Sequence, residues 1–348
     1  MSFKIENIAR ANVLAMDPYA SARDEFDGAG EVFLDANENP FPSAVNRYPD
    51  PYQKELKAEI AKIKGIQETQ IIVGNGSDEV LDLLFRAFCE PAKDTVVTIK
   101  PSYGMYNVLA KTNDVNLVEV PLDSDFNLDA SAILTSAKAA KMIVLCSPNN
   151  PTGNLLNRNE IIKILNDFHG LVVIDEAYID FSNGKTFLKE LSNYENLFVC
   201  QTLSKAYGMA GVRIGLGFGN PNVIDLLNKI KPPYNVNTVS QNFALARLKD
   251  MKTVSQEVMQ ILLERSRVLE FMMNSEVIEK IYRTDANFVL FKVKNANELY
   301  HFFAENGVVV RNRSKQFGCE NCLRVTIGTH EENERFRMVL EAYSEKIK

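Results

Sequence analysis

The 348-residue chain is predicted to adopt an α/β fold: a large domain whose mostly parallel central sheet is sandwiched by helices, plus a smaller α+β domain. Three observations predict this. Short apolar runs alternate with helical patterns through the middle of the chain. The runs are apolar on both faces, as in strands buried beneath helices on either side. Beyond about residue 250 the pattern changes, and the length suits about two domains.

Six apolar runs are predicted as strands of the large sheet. They are residues 71–73, 95–99, 142–146, 171–174, 196–201 and 212–218. Polar residues or glycines follow the carboxyl end of four of these runs. Because open α/β sheets bind ligands at that edge, the functional site is predicted where these strands end.

The smaller domain is predicted from a long helical stretch, Val254 to about Met273, and from strands at residues 288–291, 308–310 and 323–327. Thr329 and Glu332 have the spacing of a capping box that opens a final helix. The predicted boundaries place an N-terminal arm belonging to the small domain at residues 1–42, the large domain at 43–250 and the small domain at 251–348.

Composition excludes several classes of protein. The net charge of -6 argues against a nucleic-acid partner. No apolar run approaches the length of about 18 residues that spans a membrane, and no signal peptide is visible, so a cytoplasmic protein is predicted. Cys319 and Cys322 form a lone C-x-x-C motif. With only three histidines in the chain, they are predicted to be reduced surface thiols rather than zinc ligands.

Two residues at strand ends have side chains suited to chemistry. Asp175 ends the fourth run, and a carboxylate buried there needs a cation or several donors, which an internal arginine or a helix N-terminus would also supply. Lys205 follows the fifth run, and a desolvated lysine amine condenses with aldehydes near neutral pH. A lysine alone is far more often a solvated surface residue. Tyr178 either points its phenol at the same pocket or merely packs there.

Several neighbours of Lys205 suit an anion. The turn at residues 74–78 (Gly-Asn-Gly-Ser-Asp) precedes a helix, where free N–H groups and the helix dipole favour a phosphate. Taken alone, the motif is better explained as an ordinary N-cap. Thr202 and Ser204 flank the lysine with hydroxyls. Arg213 either brings its guanidinium to the same phosphate or pairs with an internal acid.

In order and spacing, these segments resemble the class II, fold type I aminotransferases, which depend on pyridoxal-5′-phosphate (PLP). The resemblance rests on Ser-Pro-Asn-Asn-Pro-Thr-Gly, Asp-Glu-Ala-Tyr, Thr-Leu-Ser-Lys and Gly-Val-Arg-Ile-Gly, at residues 147–153, 175–178, 202–205 and 211–215. More narrowly, residues 37–40, 46–49, 101–106 and 323–329 resemble the histidinol-phosphate aminotransferase branch of that family. Together the motifs cover nearly the whole chain.

The resemblance implies a role for each residue at the cofactor ring. Lys205 would bind the cofactor covalently and later move a proton as general base and acid. Asp175 would pair with the pyridine nitrogen, so that the ring accepts electrons. Asn150 and Tyr178 would contact the phenolic oxygen of the ring, and Tyr103 would stack on its face. The catalytic residues would be Lys205, Asp175 and Tyr178.

The resemblance also implies how the cofactor phosphate is held and how the chain assembles. The phosphate-binding set would be Gly76, Ser77, Asp78, Thr202, Ser204 and Arg213, with Tyr48 reaching the phosphate from a second subunit. A homodimer with shared active sites follows from that, and no metal is required.

For the substrate, the resemblance implies amino transfer between L-histidinol phosphate and 2-oxoglutarate, a step of L-histidine biosynthesis. Arg324 would meet the anionic group of the substrate. Arg311 lies where the histidinol-phosphate branch has a second phosphate-binding arginine, and two arginines suit a phosphate dianion better than one carboxylate. Asn37 and Tyr48 complete the predicted substrate contacts.

Alternatives stay open at this point. An aromatic amino acid aminotransferase and a threonine-phosphate decarboxylase share the scaffold, and residues 314–322 depart from the pattern of the histidinol-phosphate branch. Arg313 and Lys315 add positive charge nearby or are simply solvated. A PLP-sensing regulator is disfavoured, because the motifs begin by about Asp35, which leaves no room for a DNA-binding domain, and the chain is acidic.

Overall fold

The computed structural model describes residues 3–18, 32–182 and 185–348. The helices of this part are α1 (Ile5–Ile8), α2 (Ala11–Ala15), α3 (Lys54–Lys64), α4 (Ser77–Phe88), α5 (Met105–Thr112), α6 (Ala130–Ser136), α7 (Arg158–Asp167), α8 (Pro221–Ile230), α9 (Thr238–Leu248), α10 (Met251–Met273), α11 (Ala296–Glu305) and α12 (His330–Lys346). None of the helices in these ranges combines the length and apolar character that a bilayer crossing requires.

The strands form two separate sheets. The larger contains β1 (Ile71–Asn75), β2 (Thr95–Lys100), β3 (Asn116–Pro121), β4 (Met142–Cys146), β5 (Leu171–Asp175), β6 (Leu197–Thr202) and β7 (Ile214–Gly219). The smaller contains β8 (Ile278–Ile281), β9 (Phe288–Val293), β10 (Arg311–Asn312) and β11 (Cys322–Thr326).

The large sheet confirms the predicted α/β class. Its order is β1-β7-β6-β5-β4-β2-β3, and only the pairs that include β7 are antiparallel. All six predicted strands are present. The sequence missed β3, which lies at the sheet edge with only Val120 of its residues buried. An edge strand need not be apolar on both faces, so its sequence lacks the signal that reveals the central strands.

The continuous apolar runs arise because each central strand packs into two cores. In β1, Ile71 and Val73 belong to the hydrophobic cluster on one side of the sheet, and Ile72 belongs to the cluster on the other side. Successive side chains of a strand point to opposite faces, so both faces must be apolar when helices cover both.

The small antiparallel sheet has the order β10-β11-β9-β8. The predicted capping box is present, with the side chain of Thr329 and that of Glu332 each bonded to the backbone of the other residue. The predicted strand at 308–310 is wrong: the strand begins only at Arg311, as β10, and Val309 is 88% exposed. A β-branched run favours extended backbone, but without a pairing neighbour it forms no ladder.

The long helix α10 connects the two cores. Val254 packs in the large-sheet core, whereas Val268 and Met272 pack in the core of the small sheet. The change in sequence pattern near residue 250 therefore coincides with the start of a helix that packs against both sheets. The boundaries 43–250 and 251–348 remain predictions.

Residues 5–13 of the predicted arm, which the sequence analysis assigned to the smaller domain, pack against the large sheet. Ile5, Ile8 and Val13 are buried in the cluster that contains α4 and α8. Arg10 adds a 3.2 Å ion pair to Glu90. Ile5 and Ile8 are three residues apart on α1, whereas Val13 lies on the separate helix α2. Residues 1–2 and 19–31 of the predicted arm lie outside the described residues.

The prediction that Cys319 and Cys322 are surface thiols is also wrong. Both are fully buried, and the Sγ atom of Cys322 lies 4.0 Å from the Tyr282 hydroxyl. Burial raises the pKa of both thiols. Cys319, in the loop that joins β10 to β11, and Cys322, at the start of β11, both pack into the core of the large sheet.

Candidate active site

A cavity of about 140 Å³ opens where β4, β5 and β6 end, and we call it the Lys205 cavity. Its lining includes most of the residues predicted from the sequence: Ser77, Asp78, Tyr103, Asn150, Asp175, Tyr178, Thr202, Ser204, Lys205 and Arg213. Parallel strands bring their carboxyl ends to one edge, which is why residues far apart in the chain converge there.

One end of the cavity is an anion cradle at the start of α4. Gly76 precedes the helix with φ +83°, and no side chain of the described residues caps its N-terminus, so the ordinary N-cap explanation does not apply. A Cβ on Gly76 would lie 2.6 Å from Arg213 Nη2, and one on Gly215 would lie 2.0 Å from Ser77 N. The chain segments approach so closely at these two positions that only glycine fits. The N–H groups at the start of α4 and the Arg213 guanidinium therefore lie together, and both are donors that suit a phosphate.

Arg213 has a partner in this cradle even without a ligand. Its Nη2 atom lies 3.9 Å from Asp78 Oδ2, and its own backbone is left-handed, with φ 58°. Asp78 also accepts a 3.2 Å hydrogen bond from the Tyr103 hydroxyl. Arg213 Nη1 donates a 3.2 Å hydrogen bond to Ala210 O. Because Asp78 and Arg213 line the same cavity, a role of Arg213 as an internal ion-pair partner is compatible with a role as a phosphate ligand.

The other end of the cavity holds a buried acid. Asp175 is only 3% exposed; it accepts a 2.7 Å hydrogen bond from the Tyr106 hydroxyl and a 3.1 Å bond from Ala177 N. Burial raises the pKa of Asp175 to about 6, although the Tyr106 and Ala177 donors oppose this. Such a carboxylate suits a cationic partner, for example a protonated pyridine nitrogen.

Lys205 lines the same cavity, and its pKa is lower than that of an ordinary lysine. Burial lowers its pKa, and the positive charges of Arg324 and Arg213 lower it further. Asp78 and Asp175 act in the opposite direction. A lowered pKa makes more of the neutral, nucleophilic amine available near pH 7, as condensation with an aldehyde requires.

Sequence reasoning missed Tyr106. Its ring is 1% exposed, burial raises its pKa well above the usual range, and its hydroxyl contacts Asp175 directly. A signal was available: Tyr103 and Tyr106 are three residues apart at the start of a helix, so both side chains point to one side. The two rings meet edge to face, 5.6 Å apart.

Arg324 connects the small sheet to the cavity. Its Nη1 atom donates to Asn150 Oδ1, and Asn150 Nδ2 in turn lies 3.5 Å from the Tyr178 hydroxyl. Burial lowers the pKa of Arg324. Arg311 lies directly opposite Arg324 in the ladder between β10 and β11. Both predicted substrate arginines therefore lie on neighbouring strands, and Arg324 contacts Asn150 in the cavity lining.

The single chain does not bring Asn37 and Tyr48 to Lys205. They line a separate cavity of about 590 Å³ together with residues of α9. The Tyr48 ring stacks on Tyr234 with 4.5 Å between centroids and is 50% exposed. Their roles at the Lys205 cavity remain predictions.

Comparison with known proteins places the chain in a family. The model of the family "Aminotransferase class I and II" matches residues 31–340. The histidinol-phosphate aminotransferase of Flavobacterium johnsoniae is 53% identical over 336 residues, which cover 95% of this chain and 96% of that protein. The solved histidinol-phosphate aminotransferase of Clostridium acetobutylicum has a TM-score of 0.81 at 26% identity, covering 87% of this chain and 92% of that one.

A second solved structure shares the fold. The histidinol-phosphate aminotransferase of Sinorhizobium meliloti, in complex with pyridoxal-5′-phosphate, has a TM-score of 0.81 at 23% identity and covers 90% of each chain. Its fold and the family match agree with the geometry of the Lys205 cavity. The chain is thus a PLP-dependent transaminase of the class I and II aminotransferases and belongs, among them, to the histidinol-phosphate aminotransferase family.

Proposed function

We propose that this chain transfers an amino group reversibly between L-histidinol phosphate and 2-oxoglutarate, giving imidazole acetol phosphate and L-glutamate, in L-histidine biosynthesis. The observation that carries the proposal is the Lys205 cavity itself, in which an amine of lowered pKa and a buried carboxylate lie between an uncapped helix start and the arginines of the small sheet. The 53% identity to a protein of that name supports the choice of substrate.

PLP fits the cavity at both ends. When bound, it supplies an electron sink for the charge that develops on the substrate. The start of α4, with Thr202, Ser204 and Arg213, would hold its phosphate, and Asp175 would accept a hydrogen bond from its protonated ring nitrogen. Lys205 Nζ would attach the cofactor and, when freed by the substrate amine, would take up the proton of the substrate Cα as general base and return it as general acid. Both jobs need an amine that is neutral for part of the time.

The remaining residues orient the ligands. Tyr103 would lie against the ring, while Asn150 and Tyr178 would contact its phenolic oxygen. The contact between Arg324 and Asn150 makes the ring site and the substrate site adjacent. Arg324 and Arg311 bind the substrate phosphate, because paired guanidinium forks match its charge and geometry.

A homodimer with shared active sites is part of the proposal, and Tyr48 and Asn37 act in the site of the partner. The exposed apolar residues around Tyr48 support this. Phe41, Val45, Val239 and Phe243 are each more than half exposed, as expected of a surface that a second copy covers. We also place the enzyme in the cytoplasm, since all five cysteines are unpaired, which is typical of a reducing compartment.

The proposed substrate is tested by a panel of half-reactions. The PLP-loaded protein is mixed in turn with histidinol phosphate, phenylalanine and threonine phosphate, and the absorbance change to the pyridoxamine form is followed. We expect fast conversion with histidinol phosphate, and conversion with the other two slower by at least about 100-fold, because neither combines the phosphate and the imidazole group. Release of carbon dioxide from threonine phosphate, or equal rates with phenylalanine, would contradict the proposal.

The shared site is tested by mixing two variants. Lys205→Ala and Tyr48→Ala are each expected to be nearly inactive as homodimers. After subunit exchange, a mixed dimer holds one site with both residues intact, so activity should return to roughly a quarter of the wild-type value at most, by statistical assortment of two chains. The measurement is activity against time after mixing. No recovery, despite exchange verified by mass spectrometry, would contradict the shared site.

A further inference from the structure

Three arginines project from one face of the small sheet. Arg311 on β10 lies opposite Arg324 on β11. The Arg313 backbone N–H continues that ladder with a 2.9 Å bond to Cys322 O. Residues two apart on a strand share a face, and directly opposed residues do too. All three guanidinium groups therefore start from the face that carries Leu290 and Cys322, which is the face packed toward the large sheet.

This cluster carries uncompensated positive charge. Among the ion pairs of the described ranges, no carboxylate lies within 4.0 Å of Arg311, Arg313 or Arg324. The pKa of Arg313 is lowered to about 10 by burial first and then by the charges of Arg324 and Arg311. Arg313 and Arg324 are partly buried, and Arg311 is exposed. Like charges that are partly buried repel and are costly unless an anion joins them.

Unmet hydrogen-bonding atoms occur at the same place. Of the seven buried side-chain polar atoms without a partner in the described residues, four belong here: Arg313 Nε, Ser314 Oγ, Gln316 Oε1 and Arg324 Nε. Buried polar groups in native proteins nearly always have partners, so a cluster of exceptions indicates a missing ligand. The loop is held over the cavity rim by a 3.3 Å bond from Gln316 Nε2 to Ser102 O, next to Tyr103.

We propose that Arg313 is a specificity-determining residue, a third guanidinium that selects a phosphomonoester dianion over a carboxylate at the Arg311–Arg324 site. The inference rests on the proposed function and deepens it. A phosphate dianion offers three oxygens and two charges, whereas a carboxylate offers two oxygens and one charge. Three arginines match the first ligand, and two are sufficient for the second. Arg313 therefore favours histidinol phosphate over glutamate, although both react at Lys205.

The test compares Arg313→Gln with a matched control, Lys315→Gln. Lys315 is an exposed cation in the same loop, so its loss removes one positive charge without touching the cluster. For each protein, the half-reactions with histidinol phosphate and with L-glutamate give separate kcat and KM values. Histidinol phosphate is also titrated into the pyridoxamine-loaded protein, with which it cannot react, so that calorimetry yields its Kd. The melting temperature and the cofactor absorbance verify folding.

For Arg313→Gln, we expect the KM and Kd for histidinol phosphate to rise about 10- to 100-fold, as for loss of one charge-assisted hydrogen bond. The values for glutamate should change by less than about threefold, and Arg313→Lys should recover part of the loss because it restores the charge but not the fork. Lys315→Gln should stay within about twofold for both substrates.

Three outcomes would overturn the inference. Equal losses for both substrates would make Arg313 a general structural residue. An unchanged Kd for histidinol phosphate would show that Arg313 does not contact the phosphate. An equal effect of Lys315→Gln would show that Arg313 acts only through its general positive charge. If the wild-type protein converts glutamate but not histidinol phosphate, the proposed function fails first, and that result is distinct from a selective failure of the variant.

Discussion

The Lys205→Ala protein is expected to bind PLP without a covalent bond and to lose transamination by about 10⁴-fold or more, since it removes both the attachment point and the general base. In the wild-type protein, burial and the charges of Arg324 and Arg213 lower the pKa of this amine. The absorbance spectrum reports covalent attachment, and the half-reaction with histidinol phosphate reports the rate.

Lys205→Arg serves as the matched control for Lys205→Ala. It keeps a positive charge near Asp78 and Asp175, the two acids that raise the pKa of the lysine, but a guanidinium neither condenses with the aldehyde nor loses its proton at neutral pH. Both variants should therefore be equally inactive. Borohydride reduction of the wild-type protein, followed by peptide mapping, should label Lys205. A label on another lysine would overturn the assignment.

Asp175→Asn is expected to retain PLP and to lose transamination by about 10²- to 10³-fold, the size of effect seen when one preorganised electrostatic contact is removed. The amide is nearly isosteric and still faces Tyr106, but it carries no charge to hold a proton on the ring nitrogen. Cofactor content, measured by absorbance, should be nearly normal while the half-reaction rate falls. Near-normal turnover in this variant would contradict the role of the carboxylate.

Tyr106→Phe tests the same carboxylate by removing one hydrogen-bond donor to it while leaving Asp175 in place. The Tyr106 hydroxyl donates to Asp175 Oδ2 and lowers the pKa of that acid, which burial holds at about 6. Removing the donor therefore raises the pKa, and the ionised form is lost at a higher pH. The acid limb of the pH–rate profile should shift upward, with a small effect near pH 9 and a larger one near pH 6. A shift downward, or equal loss at all pH values, would contradict this coupling.

Much of the large sheet could be predicted because burial on both faces leaves a clear signal in the sequence. The strands that lead to Asp175 and Lys205 are continuous apolar runs, and their positions differ from the structure by no more than two residues. The prediction missed the edge strand β3 and placed a strand at the exposed segment 308–310, because strand pairing depends on which neighbouring strand is present. A propensity pattern contains no information about such a partner.

The arm and the C-x-x-C motif show the same limit. Residues 5–13 have too little apolar surface to reveal, from the sequence alone, which core they join, and their packing beside α4 and α8 is settled by contacts. Cys319 and Cys322 follow a polar loop, so nothing local indicates that they are fully buried. In both cases the environment comes from residues distant in the chain.

The sequence by itself determined the chemistry available: which lysine, which acid, which glycine turn and which arginines, in an order shared with the aminotransferases. Only the tertiary structure decided how they act together. It placed Tyr106 on Asp175 and left the start of α4 uncapped. It also set Arg311, Arg313 and Arg324 on one sheet face, with no acidic partner among the described residues. The physical reason is that acidity and charge balance depend on burial and distance, and folding alone creates both.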